Sequence, residues 1–320
     1  MFEPARSRLL WLPLHLAVIA ASTLLLATQR VPFWLAPLLS VPIGLSFAGL
    51  TFLGHEALHG AVLRGLRARK FVGWVGFLPF AISPRLWIAW HNRIHHGNTN
   101  RAGLDPDAYP TLDAYGSSRA VRLATDYGAP GRRRLRGVLS LLIGFSVQSA
   151  HMLVIAGKAG FLSRREHVRA IAETLLGVAL WSAVALWIGP RPFLFAFGLP
   201  LVVANAAVMG LILTNHSLSP LTGVNDPLAN SLSVTAPRLV EWLTLGFGFH
   251  VEHHLFPAMS GRHARRVRDV LRLRFPERYQ SMPIFRALLA LYRSPRVYKN
   301  PTTLVDPKSG SEWPALAPRT

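Results

Sequence analysis

The sequence of 320 residues contains no cysteine. That excludes disulfides and thiolate ligation, so any transition metal must be held by nitrogen or oxygen donors. Charge is also scarce, at 16% of residues, against roughly 25% in ordinary soluble domains. The deficit excludes a typical soluble enzyme and points to lipid. Within the small charged set acidic residues are the rarer, 15 Asp and Glu against 35 Lys and Arg, for a formal net charge of +20. So one-signed a set belongs where anionic headgroups or an acidic protein can meet it. Nucleic acid is the competing partner and is set aside, because no helix-turn-helix, zinc-finger or aromatic RNA-binding signature occurs.

What the sequence does have is long apolar runs. Four stretches, residues 9–27, 33–53, 171–188 and 193–213, approach the roughly 18 to 20 apolar residues needed to cross a bilayer. They pair into two hairpins with short turns. Arg6 and Arg8 precede the first run as in a secretory leader, but the second run begins almost at once, which suits a retained hairpin. Residues 71–90, broken by Pro79 and Pro84, and residues 138–156, with Gln148, Ser149 and His151, could span or lie in the interface. Only Arg30 and Arg191 of the 35 basic residues fall in the hairpin turns. The positive-inside rule then places the turns outside and both termini in the cytoplasm. Six arginines between Arg262 and Arg274 read as a surface helix against headgroups, and residues 301–320, rich in Pro, Ser and Gly, as a loose tail.

Of 13 histidines, eight fall into three groups: His55 and His59; His91, His95 and His96; His250, His253 and His254. On a helix, residues three or four apart stand about 5 to 6 Å from each other, close enough for two imidazoles to converge on a metal. The doubled histidines add a second direction, since neighbours point about 100° apart. A lone pair of histidines is more often a hydrogen-bonded helix end. Three groups, each just after an apolar stretch, can meet at one depth, and burying eight imidazoles without a cation would strand polar nitrogens.

These three boxes, in this order and between membrane hairpins, resemble the membrane fatty-acid desaturase superfamily over most of the chain, from His55 to Pro257. The flanking residues Trp90 to Asn100 and His253-His254-Leu255-Phe256-Pro257 resemble acyl desaturases in particular. The resemblance implies an all-α integral membrane protein with four transmembrane helices in two hairpins and a cytoplasmic helical cap holding a histidine-rich di-metal site, expected in a bacterial inner membrane. It further implies two non-haem iron ions, O₂ as co-substrate, and an acyl-lipid or acyl thioester substrate. An extra histidine after the last span is a family feature, and His216 stands there as a ninth ligand. In the stearoyl-CoA desaturase branch an asparagine four residues earlier holds a metal-bound water; here that position is Ile212, with Asn215 nearby. No His-Pro-Gly-Gly haem-binding sequence occurs, so a separate acidic donor, a ferredoxin or cytochrome b5, is expected to supply electrons.

Glu56, Asp105, Asp107 and Glu252 are expected to accept hydrogen bonds from the far side of the imidazoles, although Asp105-Pro106-Asp107 also has the composition of a plain turn. His15, His151, His167 and His263 have no partner at metal spacing. Two other readings remain: a carotenoid or alkyl hydroxylase or ketolase on the same scaffold, and a histidine-rich metal transporter. The transporter would need ionisable residues along the spans, and His15 is the one histidine within them.

Overall fold

Each long apolar run becomes a helix, because only helices and closed barrels satisfy the backbone in lipid. The computed structural model describes residues 1–28, 30–128 and 135–316. Among these, four helices are long and apolar enough to cross a membrane: α1 (Arg6–Ala27), α2 (Ala36–Leu58), α6 (Arg164–Ile188) and α7 (Pro190–His216). Between them lie α3 (Leu66–Phe80), α4 (Pro84–Asn98) and the shorter α5 (Leu139–Ile155). Two spans run past the ends expected from hydropathy. Helix α2 continues to Leu58 and α7 to His216, since helical hydrogen bonding does not stop where the apolar run does.

The chain forms two compact units, Met1–Trp90 with Phe145–Val208 and His91–Gly144 with Met209–Thr320. In the first, α1 and α6 bury only 17% and 11% of their apolar windows, whereas α2 buries 67%. Exposed Leu175, Leu176, Leu186 and Trp187 on α6 would be penalised in water by roughly 25 cal/mol per Å²; against lipid they are not. Helix α2 is the centre of this unit. Its backbone meets that of α3 at Gly54 and Gly76, where a Cβ on Gly76 would stand 2.7 Å from Gly54 Cα and from the Leu50 carbonyl oxygen. Small residues allow this close approach of helices in membranes.

Residues 71–90 do not form a single straight span. Helices α3 and α4 bend by 102° after Ala81, which has φ 50°. Ser83 restarts the helix by accepting the N–H groups of Arg85 and Leu86. Its hydroxyl donates to Glu173 Oε2 at 2.6 Å, and Arg85 Nε donates to Glu173 Oε1 at 2.7 Å. Helix α6 thereby holds the start of α4.

In the second unit, β1 (Ser233–Thr235) pairs in parallel with β2 (Ser281–Pro283). Around them are α8 (His250–Leu255), α9 (Ala264–Arg274) and α10 (Ile284–Arg293). Val251, Val267, Leu271 and Tyr279 share one hydrophobic core. Ala264, Val267 and Leu271 are the buried residues of α9, at helical spacing, which leaves its arginines on the outside. The expected loose tail is instead ordered as far as the structure describes it: β3 (Val297–Asn300), β4 (Thr303–Val305) and β5 (Glu312–Pro314) form an antiparallel sheet. Leu304 and Tyr298 are buried there, and those two anchors outweigh the polar composition. Residues 317–320 of the expected tail lie outside the described residues.

The Gly54–Gly76 crossing is testable by adding one methyl. Gly76→Ala should lower the thermal midpoint of the detergent-solubilised protein, at a cost of about 1 to 3 kcal/mol for overpacking. Gly65→Ala, where nothing lies within 4 Å of the added Cβ, should leave the midpoint unchanged; equal midpoints for both variants would refute the close crossing.

Candidate metal centre

The second histidine group sits on a run of π-helical turns from Ile88 to His95. On an α-helix, residues five apart point about 140° away from each other, but the wider turn brings them together. His91 and His96 accordingly meet, Nε2 to Nε2, at 3.2 Å. His91 and His95, four apart, stack with centroids 5.1 Å apart, and a ligand atom of each falls within 4.8 Å of Asp107, while His95 also turns towards other rings. Its ring centroid is 4.7 Å from that of His216 and 5.1 Å from that of His254.

Helix α8 completes both groupings within the second unit. His253 Nε2 lies 3.1 Å from His96 Nε2, so the ligand atoms of His91, His96 and His253 fall within 4.8 Å of one another. Those of His95, His216 and His254 do the same. His250 joins the second group, its Nε2 standing 2.7 Å from that of His216 and 3.2 Å from that of His254. His96 and His254 stack at 4.2 Å and link the two groups. His96 and His253 thus face one group, and His95 and His254 the other.

Proton positions show whether these residues fit metal. His250 Nδ1 donates to the Phe247 carbonyl at 3.3 Å. The Thr99 hydroxyl gives its single proton to the His95 carbonyl at 2.9 Å, so His254 Nδ1, 3.1 Å away, donates to Thr99 Oγ1. A neutral imidazole carries one proton. Both Nε2 atoms therefore present lone pairs, 3.2 Å apart in a buried site, with no proton between them. Such an arrangement is costly unless a cation accepts both, and a nitrogen-only donor set of this kind suits iron or zinc.

Electrostatics agree with that fit. Burial, reinforced by neighbouring imidazoles, holds His250 and His254 well below the usual histidine range, and His253 down at about 3. All three are neutral at pH 7, the form that ligates. For His95 burial works in the same direction, but Asp105 and Asp107 outweigh it and push the imidazole up to about 9. Asp105 stands 3.0 and 3.2 Å from His95 Nδ1 and Asp107 3.4 Å. Binding metal at Nε2 would release the second proton while Nδ1–H stays on Asp105.

The remaining sequence candidates fall differently. Glu252, expected behind an imidazole, instead accepts from the Ser233 hydroxyl at 2.5 Å and the Tyr279 hydroxyl at 2.6 Å, fastening α8 to β1. Glu56 pairs with Arg8 at 3.7 Å. Asn215 is fully buried with neither side-chain amide atom hydrogen-bonded. His55 is in the last turn of α2, with His59 directly after it, their rings 4.7 Å apart in the first unit. His167 bonds to the Leu153 carbonyl, His263 accepts from Arg262, and His15 packs on Gly49. The residues missed from sequence are Thr99, Asn100, Ser233 and Tyr279. The Asn98-Thr99-Asn100 run, one glycine after the doubled histidine, was the one available signal.

Membrane-length helices and a buried cluster of converging imidazoles define a class, the helical membrane protein with a histidine-rich metal site. Residues 32–286 match the sequence profile of the fatty acid desaturase family, and the chain belongs to that family. It is 23% identical over 238 residues to an acyl-lipid (9-3)-desaturase of Borago officinalis, covering 68% of this chain and 52% of the relative. An sn-1 oleoyl-lipid 12-desaturase of Arthrospira platensis is 22% identical over 272 residues, covering 82% and 75%. A Delta(8)-fatty-acid desaturase of Helianthus annuus is 20% identical over 261 residues, covering 75% and 57%. The chain thus spans about half the length of the borage and sunflower enzymes.

Asp105 fixes the His95 tautomer, and its removal has a defined consequence. Asp105→Asn should weaken metal at the His95 group by about 10- to 100-fold, read by competition with a chelator. Unchanged affinity would show that the carboxylate serves only the turn.

Proposed function

We propose that the protein is an O₂-dependent fatty-acyl desaturase with two iron ions at the histidine cluster. The observation that carries this reading is the set of Nε2 atoms meeting at 2.7 to 3.2 Å in a chain of the desaturase family. One metal position would use His91, His96 and His253, and the other His95, His216, His250 and His254. His55 and His59 complete the nine, on the strength of their box spacing. Iron bound there would supply the oxidising power that removes two hydrogens from an unactivated methylene pair, O₂ being reduced to water with two electrons from a donor.

The chain's own residues hold that chemistry in place. Asp105, Thr99 and the Phe247 carbonyl each take an Nδ1 proton, so the facing nitrogens stay free to ligate. Burial keeps His250, His253 and His254 neutral, while His95 is held charged by Asp105 and Asp107 until metal displaces its second proton. Two of the named relatives are an acyl-lipid and an oleoyl-lipid desaturase, which favours a lipid-borne chain over a thioester here. Exposed arginines of α9 would receive an acidic ferredoxin or cytochrome b5 in the cytoplasm, and both termini would lie on that side of a bacterial inner membrane.

Expression in a host of known lipid profile should yield fatty acids two hydrogens lighter, detected by mass spectrometry; a new hydroxylated or ketolated carotenoid would favour the rival activity. Within that assay His216→Ala should lose activity and iron as severely as His96→Ala, while His151→Ala and His263→Ala stay near wild type. An active His216→Ala with full iron would remove the ninth ligand.

The absence of cysteine makes topology measurable. Cysteine introduced at Gly189 should react with an impermeant reagent applied outside intact cells, and cysteine at Gly60 or Ser260 should not. Outside labelling at Gly60 would invert the proposed arrangement.

A further inference from the structure

Asn100 is 2% exposed and adopts φ 52°, a left-handed conformation that asparagine tolerates better than most residues bearing a Cβ. Its side-chain amide nitrogen lies 3.0 Å from the carbonyl oxygen of His216, and 3.3 Å from those of Pro220 and Asn230. The His216 carbonyl belongs to the last turn of α7, where helical partners run out; besides the Asn100 amide it accepts the Ser219 N–H at 3.0 Å. The backbone N–H of the same Asn100 donates to Asp105 Oδ2 at 2.8 Å, and Asp105 is the carboxylate that holds His95. One residue therefore grips the helix end that carries His216 and the anchor behind His95, whose rings are 4.7 Å apart. Asn230 braces the grip, donating to the Thr99 carbonyl at 3.0 Å.

We propose that Asn100 is the positioning residue of the His95, His216 and His254 metal position, setting the spacing between two ligands from separate chain segments without touching the metal itself. This rests on the di-iron reading above. The amide is suited to the task because its two N–H donors reach three carbonyls, while the left-handed backbone turns the N–H back towards Asp105. The two bonds act in different directions, so losing the side chain leaves the His216 carbonyl with the Ser219 N–H alone, loosening the end of α7, and leaves His95 anchored. The His91, His96 and His253 group has no bond to Asn100 among the described contacts and keeps its own geometry.

The test uses the full chain in detergent, loaded with ferrous iron under anaerobic conditions. Only folded material from size-exclusion chromatography is counted. Asn100→Gly retains the left-handed backbone without strain and deletes the amide alone. Asn100→Asp preserves the shape but turns a carboxylate oxygen towards carbonyl oxygens, and serves if the glycine variant does not fold. Each should hold about half the wild-type iron, and the retained iron should lack the magnetic coupling of a pair. Tyr298→Phe, which deletes a buried bond to the Ser219 carbonyl in the same unit, should keep the full load and the coupled spectrum. Full iron with intact coupling in either folded Asn100 variant overturns the proposal and leaves the di-iron reading standing. Equal iron loss in Tyr298→Phe also overturns it, by showing general destabilisation. Wild-type protein that never exceeds one iron defeats the underlying reading and this proposal with it.

Discussion

Lone pairs held face to face in a dry interior are the constraint on which the rest of the site depends. An imidazole has one proton to give when neutral, and here the Nδ1 protons of His95, His250 and His254 go to Asp105, the Phe247 carbonyl and Thr99. What remains between His250 and His254 is a pair of Nε2 acceptors facing each other at 3.2 Å. A protein interior tolerates that only if a cation fills it, so the outward bonds already specify an inward ligand. Folding must therefore bring in enough rigid structure to hold the nitrogens together before the metal arrives.

That rigidity comes from contacts lying just behind the histidines. Ser233 both accepts the Val251 N–H and donates to Glu252, so β1 fixes the start of α8 and the register of its three histidines. Leu232, one residue earlier, donates its N–H to the Asn215 carbonyl at 2.8 Å, tying the same strand to the end of α7. Asn225 donates to the His96 carbonyl at 2.6 Å. Short loops thus connect the second box, the third box and His216 by side-chain and backbone hydrogen bonds, a more exact restraint than apolar packing alone.

The spans were legible because lipid demands apolar residues all round a helix, and that leaves an unbroken run to read. The histidine groups were legible for the opposite reason, being polar clusters where polar residues are rare. The partition of ligands was not. The π-turns that pair His91 with His96 leave no mark in the sequence, and only the backbone reveals them. Glu252 was open to better reading: at 100° per residue it lies about 200° from both His250 and His254, on the face of α8 turned away from them. The C-terminal sheet was hidden by composition, since prolines and serines between Tyr298 and Ala315 mask a few anchoring residues. Asn100 could not be distinguished from its neighbour Asn98, because its role depends on carbonyls more than a hundred residues away.

Membership of the desaturase family and the geometry of the imidazoles meet in one claim, that iron is bound by these histidines. Iron K-edge X-ray absorption on the purified, iron-loaded protein tests it most directly. The account predicts a first shell dominated by nitrogen at about 2.0 to 2.2 Å, as for imidazole on a divalent metal, with the outer-shell scattering of several imidazole rings. A first shell of oxygen without imidazole scattering would contradict it.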